Sequence, residues 1–91
     1  CISVTANVAP RMCADMHKAW RAGDVATAMD LQDRLMPLHL ALFSETSPVP
    51  VKYAASLMGK CSAAVRLPLS EISEAGKELV RSALTGAGLL N

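Results

Sequence analysis

The sequence predicts a mostly helical chain in which one short strand is followed by about four helices. Apolar residues make up 52% of the 91 residues, but aromatic residues only 3%, so the core must be built from Leu, Val, Met and Ala. Such a core favours packed helices over a small β-barrel. Apolar residues then recur at helical spacing along most of the chain, while only the first six residues are rich in β-branched side chains.

Residues 1–6, Cys-Ile-Ser-Val-Thr-Ala, are predicted to form a short buried strand. A lone strand cannot satisfy its own backbone groups, so its partners are expected outside this chain or in another copy of it. The chain also opens at Cys1, without an initiator Met or a signal-peptide pattern. A strand that needs neighbours and leads into a helix fits the closing unit of a parallel barrel, with further helices after it.

The first two helices are predicted from their caps and apolar stripes. Asn7 is expected to cap the first helix, with Pro10 in its first turn and Gly23 at its end. Asp24 is expected to cap the second helix, and Pro37 to kink it. The apolar stripe of this second helix consists of Val25, Ala28, Leu31, Leu35, Leu38 and Leu42.

Two further helices are predicted after a loop at residues 44–50, where prolines favour extended backbone. A short helix is expected from Val51 to Met58, ended by Gly59, and an irregular connection follows over residues 60–70. Ser73 is expected to cap the last helix. The apolar stripe of the last helix consists of Leu79, Val80, Ala83, Leu84 and Ala87.

Charge and cysteine content exclude several classes of function. Nine basic and eight acidic residues are scattered without runs, so no nucleic-acid partner is expected. No apolar stretch approaches the length of a membrane span, and no membrane partner is expected. Cys1, Cys13 and Cys61 lack the spacing of a disulfide framework or a zinc site. We expect reduced thiols in a cytoplasmic protein, with no metal and no cofactor.

Few residues suggest chemistry of their own. His17 and His39 lie on different predicted helices without a carboxylate or Cys at ligand spacing, and we interpret them as ordinary surface or boundary histidines. Capping explains Ser73 and Glu74 better than acid–base catalysis. A Schiff-base lysine needs a desolvated pocket, whereas Lys52 starts a short helix after an open loop. Spacing alone therefore predicts no complete active site.

An ordered series of short strings runs along the chain. It begins with residues 1–7, Cys-Ile-Ser-Val-Thr-Ala-Asn, and continues with residues 34–39, 42–43, Glu45, and residues 48–52, 66–69 and 87–90. Together these strings resemble the dihydrodipicolinate synthase family of pyruvate-dependent class I aldolases, in which residues 1–7 are similar to the eighth barrel strand. Ser47 is a departure, since the family usually has Asn there.

The resemblance implies an α/β (β/α)₈ TIM barrel with a C-terminal helical extension. Residues 1–23 would supply its last strand and helix, and residues 24–91 the extension. The family condenses pyruvate with aspartate semialdehyde in lysine and diaminopimelate biosynthesis, through a Schiff base on a lysine. That lysine and a proton-relaying tyrosine would lie upstream of Cys1, so no catalytic residue is expected here. The resemblance assigns only Ile2 to a site, as a contact of pyruvate, and implies a homotetramer or homodimer of the full chain.

Two alternatives remain at this point. The chain could belong to N-acetylneuraminate lyase or another pyruvate aldolase of the same superfamily, from which the sequence upstream of Cys1 would distinguish it. It could instead be a free-standing helical interaction domain, which would fold as a stable monomer. The lone predicted strand argues against this second alternative.

Overall fold

A short 3₁₀ turn and four α-helices make up the regular structure of the described residues. The structure is a computed structural model that describes residues 1–90. The elements are the 3₁₀ turn Thr5–Asn7, α1 Pro10–Arg21, α2 Val25–Leu42, α3 Val49–Leu57 and α4 Glu74–Gly86. The prediction of a mostly helical chain with about four helices is confirmed, and none of the helices within residues 1–90 is long and apolar enough to cross a membrane.

The predicted strand at residues 1–6 is wrong, because no strand occurs within residues 1–90. Val4 has α-region backbone angles (φ −66°, ψ −43°), and the Asn7 amide donates to its carbonyl oxygen at 3.1 Å. The Val8 amide likewise donates to the Thr5 carbonyl oxygen at 3.0 Å. Without a neighbouring strand to pair with, local hydrogen bonds satisfy this backbone instead. The predicted burial is also wrong for most of the run, because only Thr5 is buried while Cys1 and Ile2 are exposed.

The start of α1 differs from the prediction in its cap. Pro10 occupies the first turn as expected, but Ala9 is the N-cap residue and makes no side-chain capping bond. Asn7, the predicted cap, donates from Nδ2 to the Val4 carbonyl oxygen at 3.0 Å. It therefore stabilises the 3₁₀ turn that precedes the helix.

The junction between α1 and α2 matches the prediction. Gly23 has φ +80°, a left-handed conformation that a side chain would strain. Asp24 caps α2 by accepting a hydrogen bond from the Thr27 amide at 3.2 Å, and hydrogen bonds from Thr27 hold the pKa of Asp24 below its ordinary value. Within α2, Pro37 lies inside the helix as expected. The predicted stripe is buried except for Val25, which is 52% exposed.

The third helix begins earlier than predicted, at Val49 instead of Val51. Pro50 was expected in the loop, but it lies in the first turn, where its missing N–H leaves no hydrogen bond unmade. The first turn of the helix packs against the core, because the apolar side chains of Val49, Pro50 and Val51 are all buried. Gly59 follows the helix with φ +75°.

The last helix begins as predicted at its cap, since Ser73 Oγ accepts a hydrogen bond from the Gly76 amide at 3.0 Å. Its apolar stripe is buried except for Leu79, which is 49% exposed.

The core lies between α2 and α4 and is closed by α3 and the segment before α1. Its largest fully buried residues are Leu35, Leu38, Leu42, Leu84, Val8, Val80 and Pro50.

Candidate functional site

Ile2, the one residue predicted to contact a substrate, lies in an irregular segment at the start of the chain. Its side chain is fully exposed, so residues 1–90 place no wall opposite it. A β-branched apolar side chain in water is unfavourable unless another surface covers it. Single exposed apolar side chains are nevertheless common on protein surfaces, so the contact of Ile2 with a substrate stays a prediction.

The segment after Ile2 is anchored to α2 by a hydrogen bond between a buried threonine and a half-buried histidine. Thr5 is 2% exposed, and its Oγ1 lies 2.6 Å from Nδ1 of His39 on α2. Ser3 Oγ accepts a hydrogen bond from the Ala6 amide at 3.1 Å. The interpretation of His39 as a boundary histidine missed this partner, because nothing in the sequence links residues 34 positions apart.

The other residues considered for chemistry have structural roles or exposed positions. His17 is exposed on α1. Lys52 Nζ donates to the Ala64 carbonyl oxygen, which ties α3 to the irregular segment after it. Burial raises the pKa of the Cys13 thiol, an effect partly offset by a hydrogen bond with Ser3. No group of three His, Cys, Asp or Glu side chains in the described part of the chain could hold a metal ion.

A second polar cluster joins the loop after α2 to the start of α4. Glu45 accepts hydrogen bonds from Ser73, from its amide at 3.2 Å and from its hydroxyl group. Glu74 pairs with Lys77 on the same helix at 3.3 Å. Ser73 is therefore a capping residue as interpreted, whereas Glu74 lies in the first turn of the helix and makes an ion pair instead of a capping bond. Glu45 was not singled out from the sequence, since its partner lies 28 residues away.

An open apolar groove of about 280 Å³ lies between α1 and α2. Its lining residues are Met16, His17, Trp20, Ala28, Met29 and Gln32. A small-molecule site usually combines such apolar walls with convergent polar groups that orient the ligand. Here the polar side chains are one exposed histidine and one glutamine, so the groove lacks the chemistry of an active site.

Comparison with known protein families and curated proteins gives one consistent result. Residues 1–87 match the model of the Dihydrodipicolinate synthetase family. The 4-hydroxy-tetrahydrodipicolinate synthase of Acidiphilium cryptum is 61% identical over 90 residues, which are 99% of this chain and 31% of that protein. The synthase of Gluconacetobacter diazotrophicus is 59% identical over 91 residues, with coverage of 100% and 31%. The chain thus spans about a third of the length of these relatives.

Solved structures agree with the sequence relatives. The dihydrodipicolinate synthase of Thermotoga maritima superposes with a TM-score of 0.95 at 42% identity, covering 98% of this chain and 30% of that one. The enzyme of Acinetobacter baumannii, described as complexed with pyruvate, superposes with a TM-score of 0.91 at 39% identity. There the coverage is 98% of this chain and 31% of the other.

Proposed function

The chain belongs to the dihydrodipicolinate synthetase family, and from that premise we propose that it is the C-terminal part of a 4-hydroxy-tetrahydrodipicolinate synthase. The observation that carries the proposal is 61% identity along 90 residues to a relative of that name. The match runs through the 3₁₀ turn and all four helices. It therefore concerns the arrangement of the whole chain and not one motif.

In this proposal the whole protein is a lyase that condenses pyruvate with aspartate semialdehyde. The Schiff-base lysine and the proton-relaying tyrosine belong to the part of the enzyme before Cys1. Residues 1–23 complete the barrel, and residues 24–91 form the helical extension. Ile2 contributes an apolar wall beside pyruvate, a role that comes from the family resemblance and is compatible with its exposed side chain. The pyruvate complex of the Acinetobacter baumannii relative supports pyruvate as the substrate.

The relatives favour this reaction over the alternatives. Those from Acidiphilium cryptum and Gluconacetobacter diazotrophicus are both named as synthases, which favours the synthase over N-acetylneuraminate lyase. Their greater length, of which this chain spans 31%, disfavours a free-standing interaction domain.

We also propose a homotetramer or homodimer of the full chain, located in the cytoplasm. One structural relative, with a TM-score of 0.95, is described as the first monomeric dihydrodipicolinate synthase variant. That description implies that other dihydrodipicolinate synthases are oligomers. The three cysteines are free thiols, as is usual in the reducing cytoplasm.

A hybrid enzyme tests the proposed function directly. Residues 1–91 replace the matching region of the Acidiphilium cryptum synthase, and condensation of pyruvate with aspartate semialdehyde is measured. We expect kcat/KM within about tenfold of the unaltered enzyme. In parallel, the 91-residue chain alone is incubated with pyruvate and borohydride and its mass is measured.

The controls separate loss of folding from loss of function. The unaltered synthase is the positive control, and the same synthase without the exchanged region is the negative control. We expect no borohydride-trapped adduct on the 91-residue chain, because its Lys52 ammonium is engaged by Ala64. A folded but inactive hybrid, or a stoichiometric adduct on Lys52, would contradict the proposal.

A further inference from the structure

The Thr5–His39 pair is the one place where a polar side chain is buried in the core of the described chain. Thr5 is 2% exposed, and burying a hydroxyl group is costly unless it is hydrogen-bonded. The 2.6 Å separation between Thr5 Oγ1 and His39 Nδ1 meets that requirement. A hydrogen bond to a buried hydroxyl group fixes the orientation of both side chains, because an alternative position of either one would leave a polar group unpaired.

Both sides of the pair lie on rigid elements. His39 belongs to α2 and follows Leu38, which is fully buried. On the other side, the Ala9 amide donates to the Thr5 carbonyl oxygen at 2.9 Å, and Ser3 Oγ accepts from the Ala6 amide. The turn is thus braced internally and attached to α2 at Thr5, three residues after Ile2.

We infer that His39 is a positioning residue for the pyruvate-contacting segment, acting through its hydrogen bond with Thr5. The inference rests on the proposed function, which supplies the role of Ile2. His39 does not touch the substrate. It holds the turn from which Cys1–Ser3 extends, and so it sets where the Ile2 side chain lies.

The consequence for the reaction is specific to one substrate. A displacement of about 1 Å in a positioning group can cost up to about 100-fold in rate. Because the proposed contact of Ile2 is with pyruvate, loss of the Thr5–His39 bond should weaken pyruvate use more than aspartate semialdehyde use. A role confined to stability would affect both substrates together.

The test uses the full-length protein that carries this chain and four single variants. Thr5→Val keeps the shape of the side chain but removes the hydroxyl group, and His39→Leu removes the ring nitrogen. His39→Asn retains a hydrogen-bonding group close to the position of Nδ1. His17→Leu is the matched control, because His17 is an exposed histidine on α1. Michaelis constants for both substrates and hydrogen exchange of residues 1–7 are measured.

We expect Thr5→Val and His39→Leu each to raise the pyruvate KM by about three- to tenfold, the range expected for one hydrogen bond. The double variant Thr5→Val/His39→Leu should raise the pyruvate KM no more than either single variant, because both substitutions remove the same bond. His39→Asn should restore pyruvate KM to within about twofold. His17→Leu should leave both Michaelis constants unchanged.

Three results would overturn the inference: equal rises in both Michaelis constants, additive losses in the double variant, or unchanged pyruvate KM with a lowered melting temperature. If the unaltered protein does not condense pyruvate with aspartate semialdehyde, the proposed function fails separately. Hydrogen exchange then decides the positioning role without activity. Faster exchange of the Ala6 and Asn7 amides in Thr5→Val would support it, and unchanged exchange would overturn it.

Discussion

Ile2 is the residue through which this chain is proposed to reach a substrate. It is an exposed apolar side chain in a segment without regular structure. Active sites of TIM barrels lie at the C-terminal ends of the strands, but no strand occurs within residues 1–90. The proposed role of Ile2 therefore rests on the family resemblance, and its exposure leaves the side chain available for such a contact.

We expect Ile2→Ala in the full-length protein to lower kcat/KM for pyruvate by about tenfold, the usual effect of removing part of an apolar wall. Use of aspartate semialdehyde should change by less, because the contact proposed for this side chain is with pyruvate. Steady-state kinetics with each substrate varied in turn measure the difference. Leu67→Ala is the matched control, since Leu67 is 91% exposed in the segment between α3 and α4. Equal losses for both substrates with a lowered melting temperature would mean that Ile2 only packs the barrel.

At the scale of elements, the start of α4 is held by a residue that precedes α3. Glu45 accepts hydrogen bonds from the Ser73 amide and hydroxyl group. Its carboxylate therefore lies at the N-terminal end of α4, where the helix dipole favours negative charge. A Cβ atom at Gly76 would lie 2.8 Å from Ile72 Cγ1 and would also collide with the Glu45 carboxylate. Glycine at this position therefore permits the close approach of Glu45.

We expect Gly76→Ala to destabilise the full-length protein by about 1–3 kcal/mol, the usual cost of overpacking, since Glu45 or the helix must move. Gly86→Ala is the control within the same helix, because a Cβ there meets nothing within 4 Å. It should be neutral or stabilising, as alanine has the higher helix propensity. Thermal unfolding of both variants provides the measurement. Equal melting temperatures for the two would show that Glu45 does not depend on the glycine.

The sequence predicted elements whose signals are local and missed those that depend on distant partners. Asp24, Gly23 and Ser73 act within a few residues, and each has its predicted role. The strand at residues 1–6 was wrong because pairing depends on neighbours that residues 1–90 do not supply. The start of α3 was placed two residues late because proline was taken as a loop signal, although it also fits the first turn of a helix. Ile2 came from the family resemblance alone.

At the scale of the whole molecule, the chain is extended and leaves much apolar surface uncovered. Its radius of gyration is 13.7 Å, against about 12 Å for a compact domain of this length. Large apolar side chains exposed by half or more include those of Ile2, Trp20, Val25, Met29, Leu40, Phe43 and Leu67. Single exposed residues are normal, but a set of this kind agrees with the proposal that a longer chain covers part of this surface.

We expect the isolated 91-residue chain to be mostly helical but poorly packed, and to associate as its concentration rises. Circular dichroism should show helix, while binding of a hydrophobic dye and concentration-dependent oligomers should report the uncovered apolar surface. The hybrid enzyme serves as the comparison, since there the same surface is covered. A sharp two-state melt of a clean monomer would instead support a free-standing domain.

The irregular segment between α3 and α4 is attached to the rest of the chain near both of its ends. Lys52 holds it at Ala64, and Ile72 returns the chain to the core, while Arg66, Leu67 and Pro68 are exposed. Lengthening an exposed loop costs little free energy, because closure entropy grows only slowly with loop length. The Gly23–Asp24 junction has no such freedom, since one added residue would rotate α2 by roughly 100° and turn its apolar stripe away from the core.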